Sequence, residues 1–106
     1  MKTVLKAGFV ILTFALVFST WALADGGADL YKAKCAACHG ADGAGKTAMG
    51  QKFNLRDLGS ADVQKQSDAD LNGIITNGKE KMPAYNGKLS ADEISSVVKF
   101  IRTLKK

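Results

Sequence analysis

The sequence predicts an all-α fold, and three observations carry the prediction. No stretch after residue 24 alternates apolar and polar residues over the length of a strand. Two stretches instead repeat apolar residues with a helical period: Leu71, Ile74 and Ile75, then Ile94, Val97, Val98, Ile101 and Leu104. Each follows a serine with an acidic residue three positions on, Ser67 with Asp70 and Ser90 with Glu93, the signature of a helix N-terminus. The 106 residues allow one domain at most.

Residues 1–24 read as a secretory signal peptide and residues 25–106 as the domain. Lys2 and Lys6 charge the start, Ala7 to Phe18 is apolar but for Thr13, and Ala22-Leu23-Ala24 offers a small-x-small cleavage site. The uncharged run also approaches a minimal membrane span, but the cleavage site and the helix-start signals after it favour removal. Both leader lysines and Trp21 leave with it, and the formal charge falls from +5 to +3. No cysteine lies near the cleavage site to take a lipid.

Along the domain, Asp25–Cys38 reads as the first helix, with Gly27, Tyr31, Cys35 and Cys38 on one face. A glycine on an apolar helix face signals close backbone approach, and the last helix is the expected neighbour. Residues 40–50 read as a loop. Gly40-Ala41-Asp42-Gly43-Ala44-Gly45-Lys46-Thr47 matches the phosphate-binding loop pattern letter for letter. That pattern needs a strand before it and a parallel α/β domain around it, and neither is present, so nucleotide binding is not expected. The glycines suit tight turning against a neighbouring group. Phe53, Leu55 and Leu58 are expected to point inward, Ala61–Lys65 to form a helical turn, and a helix to run from Ser67 to Thr76 until Asn77-Gly78 stops it. Residues 79–89 form a second loop, holding Met82 and the only proline, Pro83. The last helix follows, with Lys99, Arg102, Lys105 and Lys106 complementing its C-terminal dipole.

The chemistry centres on Cys35-Ala36-Ala37-Cys38-His39. Cys-x-x-Cys-His is the spacing of covalent haem attachment. Positions i and i+3 share a helix face, so both thiols can reach one porphyrin edge as thioethers, and His39 can bring an imidazole to the iron. Three other readings use the same residues. A thioredoxin-like dithiol would need a βαβ setting. A closed zinc site would need a fourth ligand, and the chain has no second His and no third Cys. A Cys35–Cys38 disulfide would close too short a loop to stabilise much. Only the haem motif uses the histidine directly after the second cysteine. A domain this small also benefits from a covalent staple. Of Met49 and Met82, Met82 is the better iron ligand. It sits in a loop where no apolar period explains it, and Pro83 restricts its backbone.

Taken together, Gly27-x-x-x-Tyr31-x-x-x-Cys35, the haem motif, Gly78 to Tyr85 around Met82-Pro83, and Val97 to Ile101 resemble the small soluble class I c-type cytochromes over nearly the whole domain. The resemblance implies a small helical domain wrapped round one covalent haem c, with Cys35 and Cys38 as attachment points. It implies axial iron ligands His39 and Met82, and one-electron transfer rather than enzyme activity. It implies export to the periplasm, or secretion. It places Lys46, Lys79, Lys81 and Lys88 near the haem edge, facing larger redox partners, membrane-bound ones among them, that present an acidic docking face. A monomer is expected, with no nucleic acid or nucleotide as partner. Two features depart from the family. Ala48 stands in a region where proline is common, so another backbone carbonyl is expected to orient His39. No tryptophan remains after residue 24, and Arg56 is the candidate for a haem propionate contact. The rival functions are a haem peroxidase or ligand binder, should Met82 not ligate, and a periplasmic thiol–disulfide oxidoreductase using Cys35 and Cys38.

Overall fold

The computed structural model describes residues 26–106, and the leader with its cleavage site, Trp21 and Asp25 lies outside them. Six helices follow in order: α1 (Gly26–Lys34), α2 (Ala36–His39), α3 (Ala48–Lys52), α4 (Ala61–Gln64), α5 (Asp68–Asn77) and α6 (Ala91–Arg102). Among the described residues there is no strand. Only two isolated bridges occur, Lys79 with Met82 and Asn86 with Leu89. No described helix is long and apolar enough to cross a membrane.

The core is built mostly on α6. Its apolar stripe buries Ile94, Val97, Val98 and Ile101, and Val97 has no exposure at all. Ser90 opens the helix with a complete capping box: its hydroxyl accepts from Glu93 N, and the Glu93 carboxylate accepts from Ser90 N. α1 lies across α6. The contact is made through Gly27, where a side chain would overlap the backbone carbonyl of Ser96. Tyr31, one turn on, is buried, and its ring meets Phe100 of α6 at 4.9 Å between centroids. α5 adds Leu71 and Ile75 to the same core, and α4 adds Val63.

Two local expectations need correction. The helix expected over Asp25–Cys38 is interrupted at Cys35 and ends at His39. Cys35 takes φ −117°, yet His39 N still donates to Cys35 O at 3.0 Å, so the chain keeps its direction through the break. The loop expected over 40–50 ends in α3. Thr47 caps that helix by accepting from Gly50 N at 2.9 Å, and its own hydroxyl donates to Cys38 O at 2.6 Å. The glycines of the phosphate-loop look-alike serve internal packing. Gly43 and Gly45 have φ of +75° and +70°, and they lie against Leu58 with Leu104 and against Leu55 respectively. At α5, Ser67 caps Asp70 N at 3.0 Å as a simple N-cap.

Candidate haem site

The residues singled out from the sequence converge. A cavity of about 340 Å³ is lined by Tyr31, Cys35 and His39, by Lys79 and Met82, and by Leu71, Ile75, Val97 and Ile101. A second cavity of about 140 Å³ shares five of the same residues, Cys35, His39, Phe53, Leu55 and Met82, and adds Cys38 and Met49. Both axial-ligand candidates thus line both spaces, and both cysteines border the second.

α1 and the turn at Cys35 position the motif. Tyr31 anchors it, since its hydroxyl donates to Gly40 O at 2.6 Å and ties the helix to the residue after His39. Burial pushes the Tyr31 hydroxyl up to about 12, with Cys35 and Asp42 adding to the shift. The Cys35 thiol is pushed up to about 11 by burial and then by Cys38. Both cysteines are free. Burial lowers the His39 imidazole below its ordinary value. That favours the neutral ring, the form that binds a metal.

Met82 is held by a tight turn. Lys79 N donates to Met82 O at 3.1 Å and Met82 N to Lys79 O at 2.9 Å, with Glu80 at φ +54° between them. Past Pro83 the loop is tied back to the helices. Tyr85 N donates to Ile75 O at 3.0 Å, and the Tyr85 hydroxyl donates to Lys34 O at 2.9 Å, beside Cys35. Met82 is half-buried and packs on the core, whereas Met49 is 44% exposed and reaches only the smaller cavity. Arg56 is exposed and lines the larger cavity.

The carbonyl expected to orient His39 is not found. Nδ1 of His39 is buried without a hydrogen-bond partner among the described residues. The carbonyls of the motif's own turn are engaged by the loop: Cys38 O accepts from Thr47, and His39 O from Gly45 N at 2.8 Å. Gln66, which no sequence pattern marked, also lines the larger cavity, and its Oε1 is the second buried side-chain atom with no partner among the described residues.

Apolar walls with a few convergent polar groups suit a large flat cofactor. The donor set is a soft thioether, an imidazole and two thiols, which fits haem iron with thioether attachment. Among the described residues no group of three or more His, Cys, Asp or Glu gathers as a metal site, whereas a closed zinc site needs four ligands. The helical fold likewise lacks the setting of a thioredoxin-like dithiol.

Comparison with known proteins points the same way. Residues 22–101 match the family described as cytochrome c oxidase, cbb3-type, subunit III. The chain is 36% identical over 100 residues to a cytochrome c6 of Nostoc sp., covering 89% of this chain and 83% of that one. It is 31% identical over 105 residues to the cytochrome c6 of Porphyra purpurea, covering 95% and 93%. Among solved structures, the KustC0563 c-type cytochrome superposes with a TM-score of 0.71 at 33% identity, covering 76% of this chain and 98% of that one.

Proposed function

Because the chain belongs to the small class I c-type cytochromes, one-electron carriers with a single covalent haem c, we infer that Cys35 and Cys38 form the thioethers and that His39 and Met82 are the axial ligands. The protein transfers electrons and is not an enzyme. The observation that carries the ligand assignment is that His39 and Met82, 43 positions apart in sequence, border the same two cavities together with Cys35.

A haem bound there would be held by Cys35, Cys38, His39 and Met82 and would supply an iron able to take up and release one electron, and a His/Met pair would raise its potential. The chain's own residues do the rest. Burial keeps the His39 ring neutral. The Lys79–Met82 turn and Pro83 hold the thioether in place, so little rearrangement accompanies a change of charge. Val97, Ile101, Leu71 and Ile75 exclude water from one side. Arg56, at the cavity, is placed to meet a propionate. The dithiol alternative is disfavoured, since a reactive thiol needs a lowered pKa and Cys35 has a raised one.

Residues 1–24 are proposed to direct export to the periplasm, leaving residues 25–106 as the working domain. The partners are larger redox proteins. We assign them an acidic docking face, met by a monomer of this chain through its exposed loop lysines.

The test is expression in a host that matures c-type cytochromes. A pyridine haemochrome spectrum should show one thioether-linked haem per chain. Met82→Ala should lose the sulfur-to-iron band of the ferric form and fall in potential, while Met49→Ala should keep both. A Met82→Ala protein that retains the band would overturn the ligand assignment.

A further inference from the structure

Two buried side-chain atoms have no hydrogen-bond partner among the described residues, His39 Nδ1 and Gln66 Oε1, and both residues line the larger cavity. Buried polar groups are nearly always paired, so each unpaired one raises the question of what the other end of its side chain does. For His39 the other ring nitrogen, Nε2, is already the proposed iron ligand. For Gln66 the other end, Nε2, has no assigned role.

The position of Gln66 is not accidental slack. Its backbone is pinned from two sides: Gln66 N donates to Val63 O at 3.1 Å, and Gln66 O accepts from Arg102 Nη2 at 2.6 Å. Arg102 is itself fixed, donating through Nε to Asp68 at 2.9 Å and through Nη1 to Gln64 O at 2.9 Å. α6 therefore clamps the link between α4 and α5, and Gln66 lines the cavity together with Val63 and Leu71.

We propose that the Gln66 amide hydrogen-bonds a haem carboxylate and tunes the reduction potential as a positioning residue of the electron carrier. This rests on the haem site proposed above. The hydrogen-bonding groups on the periphery of a haem are its two carboxylates, which accept when ionised. The amide meets them as donor through Nε2, the end of the side chain that is not buried and has no partner among the described residues. Arg56 lines the same cavity and can serve the same carboxylate pair from the exposed side. An amide N–H on a carboxylate draws off part of its negative charge. Less negative charge near the iron favours the ferrous state, so the Gln66 amide raises the potential.

The experiment is potentiometric titration of the holoproteins of the parent, Gln66→Leu and Gln66→Glu, with haem content and the sulfur-to-iron band recorded for each. Leucine nearly matches glutamine in size and suits the apolar wall. Gln66→Leu should lower the potential with haem content and band unchanged, and Gln66→Glu should lower it further by adding a negative charge. Potentials equal to the parent's in both variants would overturn the proposal. A rise in Gln66→Leu would also overturn it, since it would show the amide oxygen facing the haem. A fall accompanied by loss of the band would assign the effect to Met82 and overturn it too. The parent separates the two readings: a parent without covalent haem overturns both, whereas a parent with haem and band but no Gln66 effect overturns only this one.

Discussion

Single atoms decide how closely α1 and α6 approach. Gly27 faces the Ser96 carbonyl, which belongs to a helix backbone and cannot swing aside. Alanine would gain about 1 kcal/mol of helix propensity, but overpacking costs about 1–3 kcal/mol. The clash wins here because backbone must move. Gly27→Ala should lose up to about 2 kcal/mol net, read as a lower guanidinium midpoint at unchanged haem content. Tyr31 makes a pH prediction. Its folded value is raised from 10.0 to about 12, so the unfolded chain loses its proton first. Stability from this residue is complete below 10.0 and is lost as pH rises toward about 12. Tyr31→Phe should flatten that alkaline loss in pH-dependent thermal melts. Gly27 and Tyr31 were both legible in the sequence, because a misplaced glycine and an aromatic one turn apart mark a helix crossing. Gln66 was not, because its importance comes from a backbone pinned by Arg102, 36 positions away.

At the scale of elements, α5 and α6 were readable because an apolar period and a serine cap agree in each. α3 was missed because its signal is one threonine inside a glycine-rich stretch, and its helix has only 5 residues. The break at Cys35 was missed because the flanking spacing is continuous across it. Thr47 shows what such short elements are for: it caps α3 and holds the Cys38 carbonyl at once. Arg102 does the comparable work at the link between α4 and α5. Its planar fork reaches Asp68 and the carbonyls of Gln64 and Gln66. Lysine carries the same charge without that fork. Arg102→Lys should therefore destabilise by about 1–2 kcal/mol, the loss of charge-assisted bonds reduced by partial exposure. Chemical denaturation of the holoprotein checks it.

For the whole molecule, charge sets how partners are met. Lys46, Lys79, Lys81 and Lys88 are all exposed. Lys79 stands at the larger cavity and Lys81 at the smaller, with its amine 6.0 Å from the Phe53 ring centre. A cationic rim of this kind speeds encounter with an acidic partner, and salt screens it beyond about 10 Å at 0.1 M. Bimolecular electron-transfer rates with an acidic redox protein should fall as ionic strength rises. Lys79→Ala with Lys81→Ala should reduce both the rate at low salt and the slope, and stopped-flow mixing over a salt series measures both. Rates independent of salt would remove the acidic docking face.

The crossing of α1 over α6 also bears on assembly. The thiols stand just after the first described helix, and Val97 and Ile101 of the last helix line the larger cavity together with Cys35. Until α6 is in place, Cys35 lies on an open segment. Once it is, the Cys35 thiol is half-buried and pushed up to about 11, where it is a poor reactant. The geometry favours one order of events, in which haem is joined to the open chain and α6 then closes over it. Premature closure would leave a compact apoprotein with Cys35 less accessible. A substitution that loosens the crossing, such as Gly27→Ala, bears on the timing of maturation as well as on the stability of the finished protein.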